Sequence, residues 1–295
     1  MLVYLTHNGP QLLRYWTGGV AKTLSAGLIL FVLVTSVLQL PPASSIKTLG
    51  QSLRGVAGFD TSTLTEITTG TVLPDIGKVT VHVQAGDTYE SEPRPLFLGL
   101  TYTSTPQMAI WLETLDGTYL QSLYVTASSA EGSFINADFA SDEIIRRPEA
   151  LPVWSHKRGI KYDDGLMMPT RGSVDLDGYT SATPIGHYRV DAKLQASDAK
   201  SFRVMMELNR SYDFNDYWHV NKYPDDATYS GSGASGQPSL IYTALVSAAD
   251  PIAILRPIGH GHHSGQDGLI RAGLEGFDSA LQLIDFALVQ LELSE

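Results

Sequence analysis

Cysteine is absent from the chain, and so is any basic excess. The first absence excludes disulfides, thiolate zinc sites, iron–sulfur clusters, covalent c-type haem and a cysteine nucleophile. It also excludes the lipidated cysteine of a bacterial lipoprotein. The second absence, 20 Lys+Arg against 31 Asp+Glu for a formal charge of −11, speaks against a nucleic-acid partner, which needs a basic face. Acids are missing from the N-terminal stretch, where the first is Asp60. Three hydrolase and nucleotide templates are missing too: G-x-S-x-G, H-E-x-x-H and a phosphate loop with G-K-[ST]. What remains is 43% hydrophobic and 17% charged, the balance of a folded chain. A length of 295 residues suits one large domain or two small ones.

One long apolar run is present, LSAGLILFVLVTSVLQL at 24–40, preceded by Arg14 and Lys22. It is at the low end of what spans a bilayer as a helix and somewhat long for a signal peptide. Three readings follow: a retained N-terminal anchor, a signal peptide cut near Ala43-Ser44-Ser45, or a buried core helix. The long leader favours the anchor. Lys47 and Arg54 balance the leading charges, so the positive-inside count barely decides orientation. Without residues 1–45 the chain has 18 Lys+Arg against 31 acids, a net of −13. An acidic, cysteine-free body behind such a leader fits a bacterial cell envelope, periplasmic and either membrane-anchored or released.

Residues 46–76, rich in Ser, Thr and Gly, read as a tether with room for one short helix. From 77 to 295 the pattern is β. Val79, Val81 and Val83 alternate with polar residues, which predicts a half-buried strand. Residues 95–102 predict another. Two β-rich runs from 107 to 128 are joined through Asp116-Gly117, a pair favoured in tight hairpins. Residues 187–194 and 202–209 predict a second hairpin. Further strands are expected at 240–247, 251–260 and 287–293. Only 276–285 reads as a helix, capped by Asp278 or Ser279. The expected fold is all-β, an antiparallel sandwich, immunoglobulin-like or similar, preceded by one hydrophobic helix.

Several segments invite a chemical reading. GSGASG at 231–236 matches G-x-G-x-x-G, but it runs into Gln237-Pro238 and a strand instead of the helix a dinucleotide site needs. In GHGHHSGQDG at 259–268, His260 and His262 share one face of an extended segment. They are placed to be two ligands of one metal, with His263 turned away and Asp267 offering an oxygen. The same glycines also suit an ordinary solvated turn. Asp163-Asp164-Gly165 and Asp175-Leu176-Asp177-Gly178 have the flavour of calcium loops without the rest of an EF-hand. A basic island at 146–159 carries Arg146, Arg147, Trp154, His156, Lys157 and Arg158. Pro148 and Pro152 suggest an extended loop there. It suits either a partner surface, with Trp154 as a stacking face, or a strand-crossing loop that Trp154 plugs.

Taken together, RRPEALPVWSHKRG, NDYW…YPDDATYSGSGASGQPSLIY and IGHGHHSGQDG resemble a family of uncharacterised bacterial proteins with a predicted periplasmic domain of unknown function. The resemblance covers roughly 77–295. It implies neighbours, PepSY-type membrane proteins and flavin transferases of envelope electron transfer, but no assigned activity. Asp177-Gly178-Tyr179-Thr180-Ser181-Ala182-Thr183 is similar to the flavin-transferase target, in which the last threonine joins the phosphate of FMN. Carried over, Thr183 is the acceptor and Asp177 the upstream acid; Ser181 departs from the glycine usual there. The sequence therefore leads to a non-enzymatic accessory module beside membrane redox proteins. Its partner surface would hold Arg146, Arg147, Trp154, His156 and Arg158, with the loops near 213–238 and 259–268. The alternatives are an FMN carrier and a metal-binding envelope protein.

Overall fold

A computed structural model describes residues 65–69, 77–95, 100–134, 146–172, 179–194, 200–230 and 235–294. The apolar run at 24–40 lies outside them. Among the described residues no helix is long and apolar enough to cross a membrane. The chain is mostly β, with few helices. In order come β1 (Thr65–Thr69), β2 (Gly77–Ala85), β3 (Arg94–Pro95), β4 (Thr101–Tyr102), β5 (Gln107–Glu113) and β6 (Tyr119–Thr126). Two short helices follow, α1 (Ala127–Ala130) and α2 (Pro152–Lys157), then β7 (Tyr179–Ser181), β8 (Tyr188–Lys193) and β9 (Ser201–Asn209). Helix α3 (Ala227–Ser230) precedes β10 (Leu240–Ser247), β11 (Ile252–Ile254), β12 (Arg256–His260), a 3-10 turn (Ser279–Gln282) and β13 (Ile284–Leu293).

One sheet has the order β1-β8-β2-β13-β11 and the other β12-β10-β9-β5-β6-β7. Both are antiparallel except where the edge strands β1 and β7 run parallel to β8 and β6. The period-two pattern explains the core. Val79, Val81 and Val83 of β2 join Val190 of β8 and Val289 of β13 in one buried cluster. The same cluster holds Met108, Ile110 and Leu112 of β5, Val204 and Met206 of β9, and Tyr242 of β10. Residues of both sheets thus meet in a common apolar interior.

Part of the other face of the six-stranded sheet is buried as well. Ala109 and Trp111 of β5, Val125 of β6, Met205 of β9 and Ile241 of β10 form a second cluster with Val153 and Trp154 of α2. Sequential residues of β5 therefore go to opposite apolar layers, which is why β5 reads as a nearly unbroken hydrophobic run.

Several sequence expectations change. The hairpin across Asp116-Gly117 is present, with β5 paired to β6 and Gly117 at φ +90°. β8 and β9, however, are not a hairpin: they lie in different sheets, β8 against β2 and β9 against β5 and β10. The single strand expected at 251–260 breaks at the buried Leu255 and passes from one sheet to the other, as β11 and then β12. Residues 95–102 are no single strand either, because β3 pairs back onto β4. The helix expected at 276–285 shrinks to the 3-10 turn, with the Asp278 side chain accepting from the Ser279 N–H. Within the expected tether, the β-branched run of β1 adds an edge strand. Pro152 opens a helix rather than extending a loop, since the first helical position needs no N–H.

Candidate functional site

Residues 146–158, 210–230, 235–239 and 259–271 converge on the outer face of the six-stranded sheet. Glu207 is the anchor. It points outward from β9 while Met206 and Leu208 point inward, and it is fully buried. Its carboxylate accepts from the N–H of Val153 (3.2 Å) and Trp154 (2.7 Å) and from the Ser239 hydroxyl (2.6 Å). The first turn of α2 is thus held by one side chain from the sheet, which satisfies donors a helix end leaves open. Burial pushes the Glu207 carboxyl up to about 7, against the opposing pull of the Ser239 and backbone hydrogen bonds.

The basic island is tied down beside it. Arg147 donates from Nε to Glu149 (2.8 Å) and from its terminal nitrogens to the hydroxyls of Ser211 and Ser235. Both members of this pair are buried. Burial raises the Glu149 carboxyl, and the Arg147 charge opposes the rise. Lys157 reaches the buried Glu113 (3.1 Å), which also accepts from the Trp111 indole (2.9 Å).

The histidine loop closes over this layer through glycines. A Cβ on Gly265 would fall 2.3 Å from the Pro148 carbonyl, and one on Gly268 would fall 2.3 Å from the His156 Cβ. Beyond the glycines, the Tyr223 and His263 rings stack at 3.8 Å and 9°, and His262 stacks on His263 at 4.3 Å and 28°. The His263 Nε2 lies 3.2 Å from the Asp226 carboxylate. Burial lowers the His263 imidazole to about 4, with the neighbouring His262 adding to the effect, so the ring is neutral at pH 7. Burial works to raise Asp226, yet hydrogen bonds from Ser264 and backbone N–H groups, with the pull of His263, hold it below the usual range. An open cleft of about 430 Å³ runs along this column, lined by Lys222, Tyr223, Asp225, Asp226, His263 and Gln266.

The sequence-predicted residues divide sharply. Arg147 and Trp154 are interior, the latter with no exposed surface and its indole donating to Ser122. Arg146 is turned to the carbonyls of Met168 and Pro169 and to Asp164, one of the acids of the calcium-like turn. His156 sets its Nδ1 2.8 Å from the Pro152 carbonyl, and the Arg158 guanidinium lies 5.1 Å from the Trp154 ring centre. His260 and His262 do not share a face: His260 packs on Trp218 and Phe277, whereas His262 turns to Ser264 and His263. Alternation ends because the loop turns, with the Gly265 N–H donating to the His262 carbonyl. Asp267 is held by Arg271, which lowers it to about 2. Among the described residues no group of three or more His, Asp or Glu is placed to hold a metal. The Thr183 hydroxyl donates to the Pro106 carbonyl (2.9 Å), and Asp177 lies outside the described residues. So do 231–234, leaving only Ser235 and Gly236 of the glycine motif to describe.

Glu207, Asp226 and the Tyr223–His263 stack were not singled out from sequence. A lone carboxylate inside FRVMMELN was the available signal for Glu207, because buried strands rarely carry one unpaired. No family model, curated protein or solved structure matches the chain.

Proposed function

We propose that the chain is an extracytoplasmic accessory or binding module of the bacterial cell envelope that works beside membrane redox proteins. We read its two sheets as a β-sandwich, immunoglobulin-like or similar, whose contact face is the loop cluster on the outer side of the six-stranded sheet. The observation that carries the reading is the convergence of the 146–158, 210–230, 235–239 and 259–271 segments on that face. A scaffold of strands holds these polar loops, where binding residues concentrate. The uncharged run at 24–40 supports the envelope assignment.

The recognition surface lies at the cleft rather than on the basic island, because Arg147 and Trp154 are needed inside. A photo-crosslinking residue placed at Gln266 or Leu269 in the full chain, expressed in its membranes, should capture a membrane redox protein. Leu269 is 66% exposed and Gln266 lines the cleft. The same crosslinker at Leu245, exposed at the opposite end of β10 from His260, should not. Equal capture from all three positions, or none from any, sinks the proposal.

A further inference from the structure

We propose that Tyr217, Trp218 and Tyr223 form an aromatic cage for quaternary ammonium ions, and that the Lys222 ammonium is the cage's own competing occupant. This names a ligand class for the contact face proposed above and rests on that reading. The Lys222 Nζ lies 3.5 Å from the Tyr217 ring centre, 4.9 Å from that of Trp218 and 6.0 Å from that of Tyr223. Ring faces attract any cation at such distances. Among the described residues this ammonium has no carboxylate at ion-pair distance. A lysine head carries three N–H donors that rings satisfy poorly. A cation with methyl groups in place of N–H loses nothing there, so the surroundings suit it better than they suit the lysine.

The walls are set in advance. Tyr217 and Trp218 meet edge to face at 5.3 Å and 72°. The Asn215 side-chain oxygen accepts from the backbone N–H of Tyr217 (3.0 Å) and of Trp218 (2.7 Å), and its amide donates to the Gly276 carbonyl (2.8 Å). Gly276 sits at φ +77°, and a Cβ there would fall 2.2 Å from the Tyr217 ring, so the close approach requires glycine. Behind Trp218 pack Phe277 at 5.4 Å and His260 at 5.8 Å. Rings held this way lose little freedom when a ligand arrives. Lys222 and Tyr223 also line the open cleft, together with Asp225 and Asp226, which favour a cationic visitor.

The test uses the full chain titrated with tetramethylammonium chloride, against sodium chloride at equal ionic strength, and read by NMR shifts of the indole N–H groups. Lys222→Ala should bind about fivefold more tightly than the parent, the worth of one exposed cation–ring contact. Adding Tyr217→Leu to Lys222→Ala should abolish binding, whereas adding Tyr217→Phe should keep it, because only the ring face is used. Choline and vesicles of phosphatidylcholine distinguish a free solute from a lipid headgroup: saturable choline binding without sedimentation on vesicles assigns the solute, and sedimentation assigns the headgroup. No response in Lys222→Ala, or a response that survives Tyr217→Leu, overturns the cage. Crosslinking at Gln266 is read separately. Capture without ammonium binding refutes the cage alone, and ammonium binding without capture refutes the partner reading alone.

Discussion

The two faces of the six-stranded sheet both bury side chains, but they do so by different means. The inner face meets the other sheet through Met108, Ile110, Leu112, Val204 and Met206, side chains without a polar atom to satisfy beyond methionine sulfur. The outer face sets Trp111, Met205 and Ile241 under α2, and beside them it interleaves Glu113, Glu207, Arg147 and Glu149. An apolar layer asks for volume and tolerates exchange at constant size. A layer of charges asks for particular atoms at particular distances, and each partner left alone is costly. The inner face is therefore specified by shape, the outer one by chemistry. The outer face is also the one that holds the loops together.

That contrast can be broken by substitutions of similar size. Arg147→Met keeps much of the volume but strands Glu149, and it should cost about 3–5 kcal/mol in urea denaturation. Restoring neutrality with Arg147→Met and Glu149→Leu together should recover most of the loss. Trp154→Ala should also cost about 3–5 kcal/mol, since it empties the apolar part of the outer layer. A cost under ~1 kcal/mol would mean that α2 docks without contributing to the cooperative fold. On the inner face, Met206→Leu should cost less than about 1.5 kcal/mol despite equal burial. Ile252→Thr, at a 49%-exposed position of the edge strand β11, should stay within about 0.5 kcal/mol.

Acidity sharpens the comparison, because the inner core holds few groups that titrate in the physiological range. The Glu207 carboxyl is raised to about 7, so the folded chain holds that proton more tightly than the unfolded chain. Its contribution is fully present below an ordinary carboxyl pKa of about 4 and is lost as pH rises through about 7. His263 is lowered to about 4, so it contributes stability above the ordinary histidine pKa near 6.5 that is lost as pH falls towards 4. The two slopes oppose each other across the mildly acidic range. Glu207→Gln should expose the histidine slope, so that its stability climbs more steeply than the parent's between pH 5 and 7.5. Parallel curves for parent and variant would remove Glu207 from the account.

Strands governed by local alternation were legible in the sequence. β2 shows its valines at every second position, and the Asp116-Gly117 turn announces its hairpin. Pairing decided far along the chain was not. Nothing local in HYRVDAKL and FRVMMELN says that one joins each sheet, and nothing in PIAILRPIGH marks Leu255 as the point where the chain changes sheets. The site was partly legible: its three segments were marked as loops worth attention. The direction of each side chain was hidden, because Arg147 and Trp154 look like surface residues until Ser211, Ser235, Glu207 and Ser122 supply their partners.

β13 lies inside the five-stranded sheet, between β2 and β11, with Val289 opposite Val81. In time rather than in space, this places a constraint on assembly. β2 can pair with β8 earlier, but its other edge stays open until β13 is synthesised, and closing so long a loop is slow. Meanwhile β2 has an unpaired edge and an alternating valine face, the kind of surface that associates with other chains. A chain built this way gains from whatever keeps it unfolded until it is whole, and its refolding rate should be far more sensitive to temperature and concentration than its final stability suggests.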